Sequence, residues 1–233
     1  MQGCDASMQH SGKRIITGAI LFMLILAAST FWLQDQYLLL GFVLIIISVI
    51  PFLLKFESKR MEAREVVLIS ILAAIAAVSR VPFAALPSVQ PTSFVIILTG
   101  LVFGPETGFM VGAVAALVSN IFLGQGPWTP WQIFAWGLMG LTAGLLPARS
   151  WFKSKIGILT FGFIWGFVFG WIMDTWFVVG FINPLTWKSV LGSYISSFYF
   201  DLLHALSNVF FIRLFLSSWM KVLQRIKLKY GLH

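Results

Sequence analysis

One cysteine, eight acidic residues and three histidines are all that 233 residues offer to metal, redox or acid–base chemistry. The single thiol, Cys4, sits at the N-terminal end, so neither a disulfide framework nor a thiolate metal site follows from it. No phosphate-binding GxxxxGK[ST] loop, GxSxG elbow or HExxH pair is present, and no acidic cluster could hold Mg²⁺ and a diphosphate. The sequence thus predicts a protein that is not an enzyme. It carries no covalently bound cofactor and no metal, and any ATP-driven work falls to a partner. Charge is scarce as well: only 10% of residues are Asp, Glu, Lys or Arg.

What remains is apolar. The hydrophobic fraction is 59% and the mean hydropathy is +0.92, which leaves no polar surface for a water-soluble domain. The fold class read from this is an all-α polytopic membrane protein. Apolar runs at 15–33, 37–54, 66–79, 93–104, 107–123, 131–147, 156–182 and 190–217 give eight candidate spans. Their continuity, without alternation, excludes a β-barrel. Run 93–104 is short for a span and calls for tilt, a break or extension by its flanks. A division follows into a two-span extension (1–54), a charged linker (55–65), a six-span core (66–220) and a basic tail (221–233). No internal repeat is visible, against the inverted-repeat plan of many secondary transporters.

The net charge of +8 is distributed in blocks. Lys13 and Arg14, Lys55 to Arg64, Arg149 to Lys155 and Arg213 to Lys229 all fall on one side if the N-terminus is cytoplasmic. Only Arg80 and Lys188 then fall outside. This is the positive-inside pattern, with anionic lipid rather than nucleic acid beside the basic blocks. It predicts a cell membrane protein with both termini cytoplasmic. The first span could alternatively be a signal peptide cut near Ala27-Ala28-Ser29, although the apolar run continues beyond it.

On this topology three outer loops of the core, 80–92, 124–130 and 183–189, carry the distinctive side chains. In the first, Arg80 precedes Pro82 and Pro87, and Gln90 precedes Pro91. A guanidinium there either meets lipid phosphate or grips an anionic or carbonyl-rich ligand. Proline stiffening suits either a rigid turn or a binding loop ordered at low entropic cost. Gly124-Gln125-Gly126-Pro127-Trp128-Thr129-Pro130-Trp131 is richer, with Gln132 and Trp136 following. Its tryptophans could form an interfacial belt. Interleaved with Gln125 and Gln132, they could instead be flat faces for a ring-bearing ligand. Asn183 opens the third loop.

Within the spans, Asn120, Asp174, Asp201 and His204 are polar groups that either tie helices together or serve a ligand or proton path. Asp201, His204 and Asn208 share one helix face, and His204 could simply be bonded to Asp201. Small residues Ala73 and Ala77, at i and i+4, would let another helix approach closely.

Taken together, residues 64–220 resemble the substrate-binding S components of energy-coupling factor (ECF) vitamin transporters. The resemblance rests on the six-span core and Ala73/Ala77. It rests also on Arg80…Pro87-Ser88-Val89-Gln90-Pro91, Gly104-Pro105-Glu106-Thr107-Gly108, Ser119-Asn120 and Gly124–Thr129, which are similar to a subgroup associated with cobalamin-type substrates. It implies capture of a vitamin near the outer face under a cap of the three loops. Arg80, Gln90, Asn120, Gln125, Trp128, Trp131, Gln132, Trp136, Asp174, Asn183, Asp201 and His204 are the substrate-contact candidates. It also implies docking of Ala73 and Ala77 on a transmembrane coupling protein, with two ABC-type ATPases supplying energy. The two extra N-terminal spans depart from the family plan. A proton-coupled secondary transporter using Asp174, Asp201 and His204 is the alternative.

Overall fold

The computed structural model describes residues 63–146 and 154–231; the runs 15–33 and 37–54 and most of the 55–65 linker lie outside the described residues. Six α-helices follow in order: α1 (Ala63–Arg80), α2 (Pro91–Phe103), α3 (Pro105–Leu123), α4 (Thr129–Leu145), α5 (Lys155–Phe181) and α6 (Trp187–Tyr230). A 3-10 turn, Val81–Phe83, continues α1, and no strand occurs among the described residues. Four stretches, Ala63–Phe83, Pro105–Leu123, Lys155–Phe181 and Trp187–Tyr230, are long and apolar enough to cross a membrane. The chain is a multi-pass, all-α membrane protein.

The short run at 93–104 is resolved by α2. Its 13 residues would reach only about 20 Å at 1.5 Å per residue, less than a hydrocarbon core of roughly 30 Å. It does not need to meet lipid. Every residue from Pro91 to Gly100 is buried, because α1, α3, α4 and α6 enclose it. A helix apolar on all sides belongs at the centre of a bundle.

Proline starts α2, α3 and α4, where a missing N–H costs nothing and the fixed φ favours the first turn. Gly104 at φ 93° makes the reversal between α2 and α3 without a loop. α3 and α4 cross closely at Gly108 and Gly140, since a Cβ on either would overlap the other's backbone. α5 meets α6 in the same way, with Gly166 against the backbone of Ala205. Without a hydrophobic drive between helices in lipid, such contacts supply the packing.

α6 differs from the expected span 190–217 at both ends. Thr186 and Ser189 form a reciprocal capping box that begins it. No Gly or Pro interrupts it from Ser193 to Tyr230, so the basic tail continues as helix for 44 residues in all, stopping at Gly231 in the left-handed region. The tail is anchored to the bundle: Lys227 Nζ donates to Val102 O at the end of α2, 2.9 Å away.

Candidate functional site

The loops 81–90, 124–128 and 182–186 gather at one end of the bundle, and there the polar residues converge. Arg80 terminates α1. Its Nη1 donates to Ser119 Oγ at 2.7 Å and Asn120 Oδ1 at 3.0 Å, both on the last turns of α3. The guanidinium carbon lies 4.8 Å from the ring centre of Trp136 on α4. No carboxylate among the described residues pairs with it, so a half-buried cation is held by neutral groups and a π face alone.

Asn120 passes the network onward. Its Nδ2 donates to Gln132 Oε1 at 2.7 Å and to Thr129 Oγ1 at 3.1 Å. Thr129 in turn donates to Gln125 Oε1 at 3.0 Å and accepts from the Gly126 N–H at 3.2 Å. Gly124, at φ 103°, turns the chain out of α3. The Gly-Gln-Gly-Pro loop is therefore fixed by side chains on α3 and α4, and it fixes Arg80 through Asn120.

Beneath it, Trp136 Nε1 donates to Ser93 Oγ at 3.1 Å, and Ser93 Oγ lies 2.8 Å from His204 Nε2. The serine hydroxyl accepts from the indole, and the tautomer of His204 sets which of Ser93 Oγ and His204 Nε2 donates to the other. Phe169 of α5 completes the layer, edge-to-face with His204 at 4.8 Å and 4.9 Å from Trp136. One connected set thus draws on all six helices, with Arg80 at its solvent-facing edge.

Several sequence expectations change here. Trp131 and Trp136 are 2% and 0% exposed, so they are core and network residues rather than faces open to a ligand. Trp128 is partly exposed, lies over Gly126 and pairs with Trp176 of α5 at 6.0 Å. The open aromatic rim is thus Trp128 and Trp176, with Phe177 and Phe181 stacked beside them. Asn183 is exposed and takes no part in the network; it precedes a cis bond to Pro184. His204 is not bonded to Asp201. Ser197 donates to Asp174 Oδ2 and lies 3.3 Å from Asp201 Oδ2, forming a separate tie between α5 and α6. Asn208 faces α5 and donates to Gly162 O at 2.9 Å.

Ala73 and Ala77 are 1% and 0% exposed, enclosed by the bundle and closed to a partner. The exposed side of α1 carries Val67, Ser70, Ile71, Ala74 and Val78 instead. Ser70 and Ala74 keep the i, i+4 spacing of small residues, one register over.

Ser93 and Ser207 have no marker in the sequence, and Ser119 and Thr129 stand out there only as parts of the motifs that carry the resemblance. Small hydroxyl residues are ordinary in membrane helices, and only the three-dimensional crossing gives them partners. Trp176 had one signal, its place near the end of a span beside two phenylalanines.

An UPF0397 protein of Aliivibrio salmonicida is 30% identical to the chain over 103 residues, which is 42% of this chain and 56% of that relative. An UPF0397 protein of Vibrio atlanticus is 33% identical over 94 residues, 38% of this chain and 51% of the relative. The chain thus spans about half the length of the curated relatives it matches. No solved structure matches it. Residues 60–220 match the family described as the S component of the ECF-type riboflavin transporter, and the chain belongs to that family.

Proposed function

We propose that the protein is the vitamin-capturing subunit of an ECF-type importer. It takes its ligand from the outer face of the bacterial cell membrane without hydrolysing ATP. The observation that carries this reading is Arg80. A guanidinium held in place by Ser119, Asn120 and Trp136, and lacking any anionic partner among the described residues, is positioned before a ligand arrives. Preorganised donors of this kind bind carbonyl or anionic groups at little entropic cost. Trp128 and Trp176 at the rim suit the flat part of such a molecule.

Membership of a family described for riboflavin transport favours a flavin as the vitamin. A corrinoid, suggested by loop motifs similar to those of a subgroup associated with cobalamin-type substrates, is its comparator. The charge distribution supports an outward-facing loop end with the basic blocks inside.

Release inside would require a transmembrane coupling protein and two ABC-type ATPases. For docking on the coupling protein, the exposed Ser70 and Ala74 face of α1 replaces Ala73 and Ala77. The division into a two-span extension, 1–54, and a six-span core, 66–220, is part of this proposal. Purified protein is tested by thermal shift against riboflavin, cobalamin and the other B vitamins, without ATP. Stabilisation by one of them supports capture, and no shift with any of them removes it.

A further inference from the structure

Gln90 stands at the junction of the 81–90 loop, α2 and α6. Its backbone N–H donates to Ser207 Oγ of α6 at 3.0 Å, and its carbonyl receives the N–H of Ser93 at 3.2 Å. The backbone is therefore fixed from two sides, and Pro91 stiffens it further. Gln90 occupies the N-cap of α2, yet its side chain makes no capping bond. Its Oε1 is removed from solvent and has no donor among the described residues. An amide carbonyl in that condition loses its water without replacement, a cost that natural sites accept when a donor is supplied from elsewhere.

The other buried acceptor without a donor among the described residues, Asn208 Oδ1, belongs to an amide already committed to Gly162 O across the α5–α6 contact. Gln90 has no such structural commitment. It lies one helical turn before Ser93, the residue that holds Trp136, on whose face Arg80 rests. Arg80 is rich in donors and short of acceptors; Gln90 Oε1 is an acceptor lacking a donor. The two residues are linked through Ser93 and Trp136 and have opposite demands.

We infer that Gln90 reads a hydrogen-bond donor on the captured molecule while Arg80 faces one of its acceptors. The substrate class is then a ring system carrying both N–H and C=O, as lactam and imide heterocycles do. The inference rests on the vitamin-capture reading and adds polarity to it.

Riboflavin and N3-methylriboflavin provide the test, because the methyl group removes the imide donor and leaves both carbonyls. Binding to the full chain in detergent is followed by flavin fluorescence, for wild type and Gln90→Leu. Wild type should bind riboflavin about tenfold or more tightly than the methylated form, the loss of one buried hydrogen bond. Gln90→Leu should weaken riboflavin by a similar factor and show no further loss on methylation. Equal binding of the two flavins by wild type overturns the inference; an amide turned over, seeking an acceptor, would give that result. A methyl penalty that persists in Gln90→Leu overturns it too. Binding of another vitamin but of neither flavin overturns the inference and leaves capture standing. Binding of no vitamin at all overturns both.

Discussion

The guanidinium of Arg80 lies over the buried ring of Trp136 at 4.8 Å, and the indole N–H of that ring is tied to Ser93 on α2. Trp136 has no surface of its own to offer a ligand, being 0% exposed. Its role is to hold the cation. A guanidinium can stack flat on the ring and still send Nη1 toward Ser119 and Asn120; an ammonium is a point charge that cannot do both.

Arg80→Lys and Arg80→Ala should therefore both weaken ligand binding, by about 10- to 100-fold, the range for a charge-assisted hydrogen bond. Calorimetric titration with the vitamin identified by thermal shift measures this. A lysine variant that binds as tightly as wild type would remove the stacking argument.

Gly140 and Gly108 set the distance between α3 and α4, and the 124–128 loop depends on that distance. Gly140→Ala places a methyl group in the Gly108 backbone, which cannot retreat as a flexible side chain could. The expected cost is about 1–3 kcal/mol, the range for overpacking, read as a lower midpoint of thermal unfolding. An unchanged midpoint would mean that the two helices do not cross at this point.

Two adjacent alanines on α1 should behave differently. Ala73 is buried and Ala74 is exposed. Ala73→Trp should destabilise the bundle and reduce yield. Ala74→Trp should leave thermal stability and vitamin binding at wild-type values while lowering co-purification with the coupling protein. If Ala74→Trp co-purifies as wild type does, this face is not the docking surface.

The six helices of the core were legible as apolar runs because hydrophobic continuity is a local property. The burial of α2 was not, since a helix apolar on every side reads the same whether lipid or protein surrounds it. The interest of Arg80, Gln90, Asn120 and the Gly124–Thr129 loop was visible from residue types that do not suit ordinary membrane loops. Which face of α1 looks outward was not visible. Ala73, Ala74, Ala76 and Ala77 are nearly equivalent in sequence, and only packing against α2 and α3 distinguishes them. The same holds for tryptophan: Trp128 and Trp131 are three residues apart, yet one is at the rim and the other in the core. His204 seemed a natural partner for Asp201, but the partner that geometry provides is Ser93 on another helix.

In the proposed role, a vitamin is captured at Arg80 without ATP. The most direct measurement of this is equilibrium binding of riboflavin and cobalamin to purified wild type and Arg80→Ala, in the absence of nucleotide and of any partner. Wild type should show saturable one-to-one binding of one of them, lost or markedly weakened in the variant. Absence of binding by wild type, or equal binding by both proteins, would contradict it.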